Sequence, residues 1–166
     1  MMRFLVMFLV IAGWAHAQDR DTAAQAALAA YSKALTSQDY GAAYALLSPA
    51  RQAQQTPLKY SSFEDWLFKE FGAITRRSIV QSTWYPKETS GEAHTFLALD
   101  FAGTREKAPI SCGYILLVEL PQGFLVNRTD ELNHSAEVIK GANQNSMVQA
   151  MARPGCQSYL DRAQQN

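Results

Sequence analysis

The stretch Ser111–Leu132, SCGYILLVEL-PQG-FLVNRTDEL, decides how the chain folds. Two apolar runs flank Pro121-Gln122-Gly123. Proline presets the backbone angle of a turn and glycine relieves the strain of closing it, so the segment reads as a β-hairpin. Working outward from it, SIVQSTWY (78–85) and HTFLALDF (94–101) alternate in the same extended way. They are separated by the polar stretch Pro86–Glu92, and a second polar loop, Ala102–Pro109, leads into the hairpin. About four antiparallel strands in a meander follow from this pattern.

Upstream the period is helical. Asp21 or Thr22 caps a helix to about Thr36, with Leu28, Tyr31 and Leu35 on one stripe. Tyr40, Tyr44 and Leu47 restart the pattern, which Ser48-Pro49 ends or redirects. Residues 50–60 read as a helical turn and a loop. Ser61 and Glu64 have capping-box spacing before a third helix, whose apolar face is Phe63, Trp66, Leu67 and Phe71 and whose stop is Gly72. Three helices followed by strands predict an α+β domain, the helices packed on one face of a curved sheet.

The chain divides into residues 1–17, 18–135 and 136–166. MMRFLVMFLVIAGWAHA has a basic start, an apolar run too short for a membrane span, and the small-residue exit Ala15-His16-Ala17. It reads as a signal peptide cleaved after Ala17, which places the mature domain in the periplasm or outside the cell, free of the membrane. Its removal takes Arg3, leaving 14 basic against 15 acidic side chains from the original 15 and 15. That balance excludes the electrostatic footprint of a nucleic-acid binder. Cys112 and Cys156 are the only cysteines, and in an oxidising compartment they are expected to bond. The polar segment 136–166, helical in part around Met147–Met151, would then be tied back to the sheet.

The helical pair carrying SQDYGAAYALLSP (37–49), the third helix and the sheet resemble the nuclear transport factor 2-like superfamily over about Ala23–His134. The spacing of Trp66, Gly72 and Arg76/Arg77 is similar to a bacterial family defined only as domain of unknown function 4019. The chain departs from that smaller family at Val126-Asn127-Arg128, where a glycine–aromatic pair is expected. The resemblance implies a cone-shaped fold with a pocket between helices and sheet. Its members include isomerases, dehydratases, binding proteins and assembly subunits, so the fold does not choose a function.

Candidate pocket residues follow from a strand register. Pairing Leu120 with Phe124 sets Leu116 opposite Arg128 and Tyr114 opposite Asp130. Pairing Phe101 with Ser111 sets Asp100 opposite Cys112. The face carrying Phe96, Ala98, Asp100, Cys112, Tyr114, Leu116, Val118, Val126, Arg128 and Asp130 is taken as helix-covered, because it holds Cys112, Tyr114, Phe124 and Val126 together. Asp100, Tyr114 and Asp130 then gather at one end, the two carboxylates about 12 Å apart by strand spacing and rise. A carboxylate base beside a phenol donor in an apolar pocket is the chemistry of an isomerase or dehydratase. Sheet-rim solvation is the plainer role for these residues. Tyr31, Tyr44, Trp66, Trp84 and Arg128 are the candidate ligand-binding residues, with core packing as the default for the aromatics and a rim position for Arg128. Arg76-Arg77 reads as a solvated pair.

No cofactor or metal is indicated. His94 and His134 lack ligand-spaced partners, and nucleophile-elbow, phosphate-loop, dinucleotide and Cys-x-x-Cys patterns are missing. The sequons at Asn127 and Asn133 are set aside because the resemblance points to bacteria. The leading expectation is an exported, non-catalytic domain binding a small ligand or an envelope protein. An enzyme using Asp100 and Tyr114 is the first rival. A subunit of an envelope assembly, with the sheet supporting a homodimer, is the second.

Overall fold

The computed structural model describes residues 9–141 and 155–156. Helix α1 (Leu9–Thr36) is followed by α2 (Tyr40–Ala45), α3 (Pro49–Gln52) and α4 (Pro57–Phe71). Strand β1 (Ile74–Tyr85), a turn of helix α5 (Lys87–Ser90), and strands β2 (Phe96–Arg105), β3 (Ala108–Leu120) and β4 (Gly123–His134) come next, then α6 (Ala136–Gly141). The strands form one antiparallel sheet in the order β1-β2-β3-β4. The protein is therefore α+β, as its sequence pattern requires. The expected partial helix around Met147–Met151 lies outside the described residues.

Pro121 and Gln122 make the two-residue turn of the central hairpin, and Leu120 pairs with Gly123 at φ 118°. Leu116 pairs with Arg128 and Tyr114 with Asp130, as expected. The β2–β3 register is displaced by two residues from expectation: Phe101 meets Gly113, and Asp100 meets Tyr114. The displacement follows from strands that extend through the polar stretch 102–109, leaving only Glu106 and Lys107 as turn.

The helices cover the face opposite the one expected. Leu97, Leu99, Phe101, Ile115, Leu117, Phe124 and Val126 are buried against Ala24, Tyr31, Ala34, Ala43, Leu47 and Tyr60. Each large side chain so buried contributes about 1.5–3 kcal/mol. A bulge explains the reversal. Leu117 pairs with Val126 but Leu116 with Arg128, so Asn127 is the extra residue in β4. Before the bulge, Phe124 and Val126 share a face with Leu117; after it, Arg128 and Asp130 share a face with Tyr114. Unbroken alternation had put all four together.

Helix starts are set by side-chain caps. Asp39 accepts from Ala42 N, Ser48 from Arg51 N and Thr56 from Lys59 N, with Pro49 and Pro57 at the first turns of α3 and α4. The Ser61–Glu64 capping box does not form, because Thr56-Pro57 starts α4 a turn earlier and leaves Ser61 in mid-helix. This phase buries Tyr60, Glu64 and Leu67 at i, i+4 and i+7, and leaves Phe63 and Trp66 half exposed. Gly72 ends α4 with φ 77°, the conformation glycine favours, and its NH donates to the Phe68 carbonyl.

Cys112 and Cys156 are bonded, with their Cα atoms 5.1 Å apart. Ile110, Leu132 and Ile139 surround the bond on the sheet face away from the helices. Gly155 lies so close to the sheet that a Cβ there would stand 2.3 Å from the Gly113 carbonyl oxygen. Only glycine fits at that position.

Candidate functional site

Three charged strand residues and a serine cluster on the helix-covered face beyond the apolar core. Arg77 in β1, Arg105 in β2, Ser111 in β3 and Glu131 in β4 converge there. Arg77 Nη2 donates to Glu131 Oε2 at 2.6 Å, and Arg105 Nε to Glu131 Oε1 at 2.7 Å. Ser111 Oγ donates to Glu131 Oε1 at 2.9 Å, and Arg105 Nη1 reaches the Gly72 carbonyl at 3.2 Å. The Arg105 side chain is 5% exposed and that of Arg77 12%, so these pairs are screened far less than surface ones. The Arg77 guanidinium lies 4.1 Å from the centroid of the Phe101 ring. Burial opposes ionisation of Glu131, but Arg77, Arg105 and Ser111 outweigh it and hold the carboxyl at about 2.

Glu64 approaches the same region from α4. Burial, and then the negative charge of Glu131, push it up to about 7 against the pull of Arg105, Arg77 and a hydrogen bond from Tyr60. The Tyr31 and Tyr60 hydroxyls are 3.0 Å apart. Tyr60 has one proton and a carboxylate is the stronger acceptor, so the chain runs Tyr31 to Tyr60 to Glu64. Burial raises both tyrosines well above the ordinary phenol range.

Between these groups lies a cavity of about 170 Å³. Leu35, Phe63, Leu67, Phe101 and Ile115 supply apolar wall; Tyr31, Glu64, Arg77, Thr129 and Glu131 supply polar groups. Asp130 also borders it, although strand alternation sends its side chain to the other face. Arg77 Nε is buried and has no hydrogen-bond partner. It is the only such side-chain atom on this wall among the described residues. Of the aromatics expected to bind ligand, Tyr31 alone lines the cavity. Tyr44 packs on Tyr60 and donates to the Gln55 carbonyl at 3.0 Å. Trp66 stacks on the outer flank of α4 with Phe63 and Phe71, and Trp84 sits edge-on to Phe124 beneath Arg20.

Asp100 and Tyr114 lie on the open face, not under the helices. They are direct cross-strand partners in a broad hollow of about 840 Å³ with Gln81, Phe96, Leu116 and Asn127. Burial raises Asp100 above the usual carboxylate range. Arg128 reaches over the Tyr114 ring, 5.7 Å from its centroid. The bonded Cys156 lies along the same face, beyond the Asp100–Tyr114 pair toward Ala102 and Leu132.

The reading of residues alone missed Glu64, Tyr60, Arg105 and Ser111 as a cluster, and took Arg77 as solvated. Two signals pointed to them. Thr56-Pro57 is itself a cap and first turn, which frees Glu64 from capping, and Tyr60-Glu64-Leu67 then forms a stripe. Among the described residues no helix is long and apolar enough to cross a membrane, and no cluster of potential metal ligands occurs. No protein-family model, no curated protein and no solved structure matches this chain.

Proposed function

We propose that this is an exported, non-catalytic domain that binds a small molecule in the cavity between helices and sheet. The observation that carries the reading is a cavity of about 170 Å³ lined in part by Arg77, whose buried Nε has no hydrogen-bond partner. A donor stripped of water costs roughly 1–3 kcal/mol until something accepts its hydrogen. A ligand acceptor removes that cost, and a cavity of this size is comparable to one that admits benzene. Placing the pocket between a helical layer and an antiparallel sheet is in keeping with the nuclear transport factor 2-like cone. The disulfide and the leader-like residues 1–17 support export to the periplasm or beyond.

Binding ranks ahead of catalysis because Asp100 and Tyr114 share a wide hollow in place of an enclosed pocket, where water would level the carboxylate's basicity. The test is isolation from the host envelope, N-terminal sequencing, and mass spectrometry of small molecules released on denaturation. The chain should begin at Gln18 and release one compound per molecule. A Leu67→Trp variant, which fills the cavity, should release none. Equal release from both proteins would remove the cavity reading, and intact Met1 would remove the export reading.

A further inference from the structure

Two guanidinium groups, Arg77 on the cavity wall and Arg105 outside it, converge on one fully engaged carboxylate. Glu131 accepts from Arg77, Arg105 and Ser111 together, so its single charge is spent on two cations. One positive charge is left over, and Glu64 is the group positioned to offset it. Glu64 is an expensive counter-charge. It has no salt bridge among the described residues, it sits beside Phe63 and Leu67, and burial works against its ionised form. The one unpartnered buried atom among the described lining residues is a donor, Arg77 Nε. The geometry therefore calls for an acceptor that carries negative charge, with an apolar body to lie along Leu35, Phe63 and Leu67.

We propose that the cavity takes a short organic carboxylate, whose oxygens accept from Arg77 and whose charge replaces that of Glu64, so that binding places a proton on Glu64. The proposal rests on the cavity being a binding site and adds the ligand's chemical class. The groups that act on Glu64 come from every layer around it: Tyr31 of α1, Tyr40 of α2, Tyr60 of α4, Arg77 of β1, Arg105 of β2 and Glu131 of β4. The three tyrosines are raised away from the neutral range and Glu131 is held below it, which leaves Glu64 as the carboxyl that titrates there. Neither His94 nor His134 lines the cavity.

The test is calorimetric titration of the intact protein with butyrate, butyramide and butylammonium at pH 6 and pH 8. Butyrate is ionised at both. It should bind about tenfold more weakly at pH 8, because Glu64, at about 7 in the free protein, must then be protonated on binding. Repeating the pH 8 titration in buffers of different ionisation heat should show close to one proton taken up. A Glu64→Gln variant should bind butyrate equally at both pH values without proton uptake. Preference for butylammonium, equal binding of butyramide, or butyrate affinity that holds or rises at pH 8 would overturn the carboxylate assignment and leave the binding cavity standing. If none of the three probes binds, the cavity reading fails and this assignment with it.

Discussion

The two faces of the sheet solve the same problem in different ways. The helix-covered face closes by packing: seven apolar strand residues meet α1, α2 and α4, and its most buried charges gather at one end, with the part-exposed Arg20–Glu119 pair at the other. Among the described residues the other face has no helical layer over Asp100 and Tyr114, and its far end is held by one covalent bond with a small apolar cluster around it. A carboxylate's fate depends on its partners as well as on the side it falls. Glu64 and Glu131 are moved strongly and in opposite directions, whereas Asp100 is only raised. Burial is common to all three, and paired guanidinium groups separate Glu131 from the others.

The largest effect should come from the open face. Its bond closes a sequence separation of 44 residues, which contributes about 4 kcal/mol in the chain-entropy account. Cys156→Ser should lower the denaturant midpoint by an equivalent amount and expose the amides of Ile110, Cys112 and Leu132 to exchange, while Leu97, Leu99 and Leu117 keep their protection. Loss of protection on both faces together would show that the sheet has no such division. The native protein should present no reactive thiol, before or after denaturation.

The next effect belongs to the covered face. Glu131 lies below its usual value, so it contributes stability above about pH 4.5 that is lost as pH falls toward 2. Glu64 lies above its usual value, so its contribution is complete below about pH 4.5 and is lost as pH rises toward 7. Each displacement corresponds to something on the order of 3 kcal/mol. These two groups together place their maximum contribution near pH 4.5–5. Glu64→Gln should therefore stabilise the protein at pH 8 and change little at pH 4, as read from unfolding curves at the two values. Stabilisation of equal size at both would mean that Glu64 is not held out of water.

The layer architecture was legible in the residues because it depends on period: 3.6 upstream of Gly72, 2.0 downstream. Hairpin, disulfide and strand count follow from local chemistry at Pro121-Gln122-Gly123 and from two cysteines. The covered face was not legible, for a specific reason. Asn127 inserts one residue into β4, and such a bulge reverses the sidedness of everything before it without disturbing the alternation on either side. The charged cluster was hidden for a related reason. Its members come from α4 and all four strands, and their convergence depends on register, which the sequence pattern specifies only to within a slip. Glu64 was obscured by a competing local role: capping-box spacing is satisfied at Ser61, but Thr56-Pro57 starts the helix first.

The smallest effect tests whether the open face differs in kind from the covered one or only in degree. Asp100 is 9% exposed, much like Glu64, yet its cross-strand neighbour is a tyrosine and its hollow is wide. Burial raises it, so its ionised form weakens the fold and that weakening appears as pH rises through its folded value. Asp100→Asn should accordingly stabilise the protein at pH 7, by less than Glu64→Gln does at pH 8, and should change nothing at pH 3. The sign is shared because both groups are desolvated. The size differs because the hollow is broad and, among the described residues, burial alone raises Asp100, whereas Glu131 also repels Glu64. If Asp100→Asn matched or exceeded Glu64→Gln, the hollow would be as dry as the cavity under the helices.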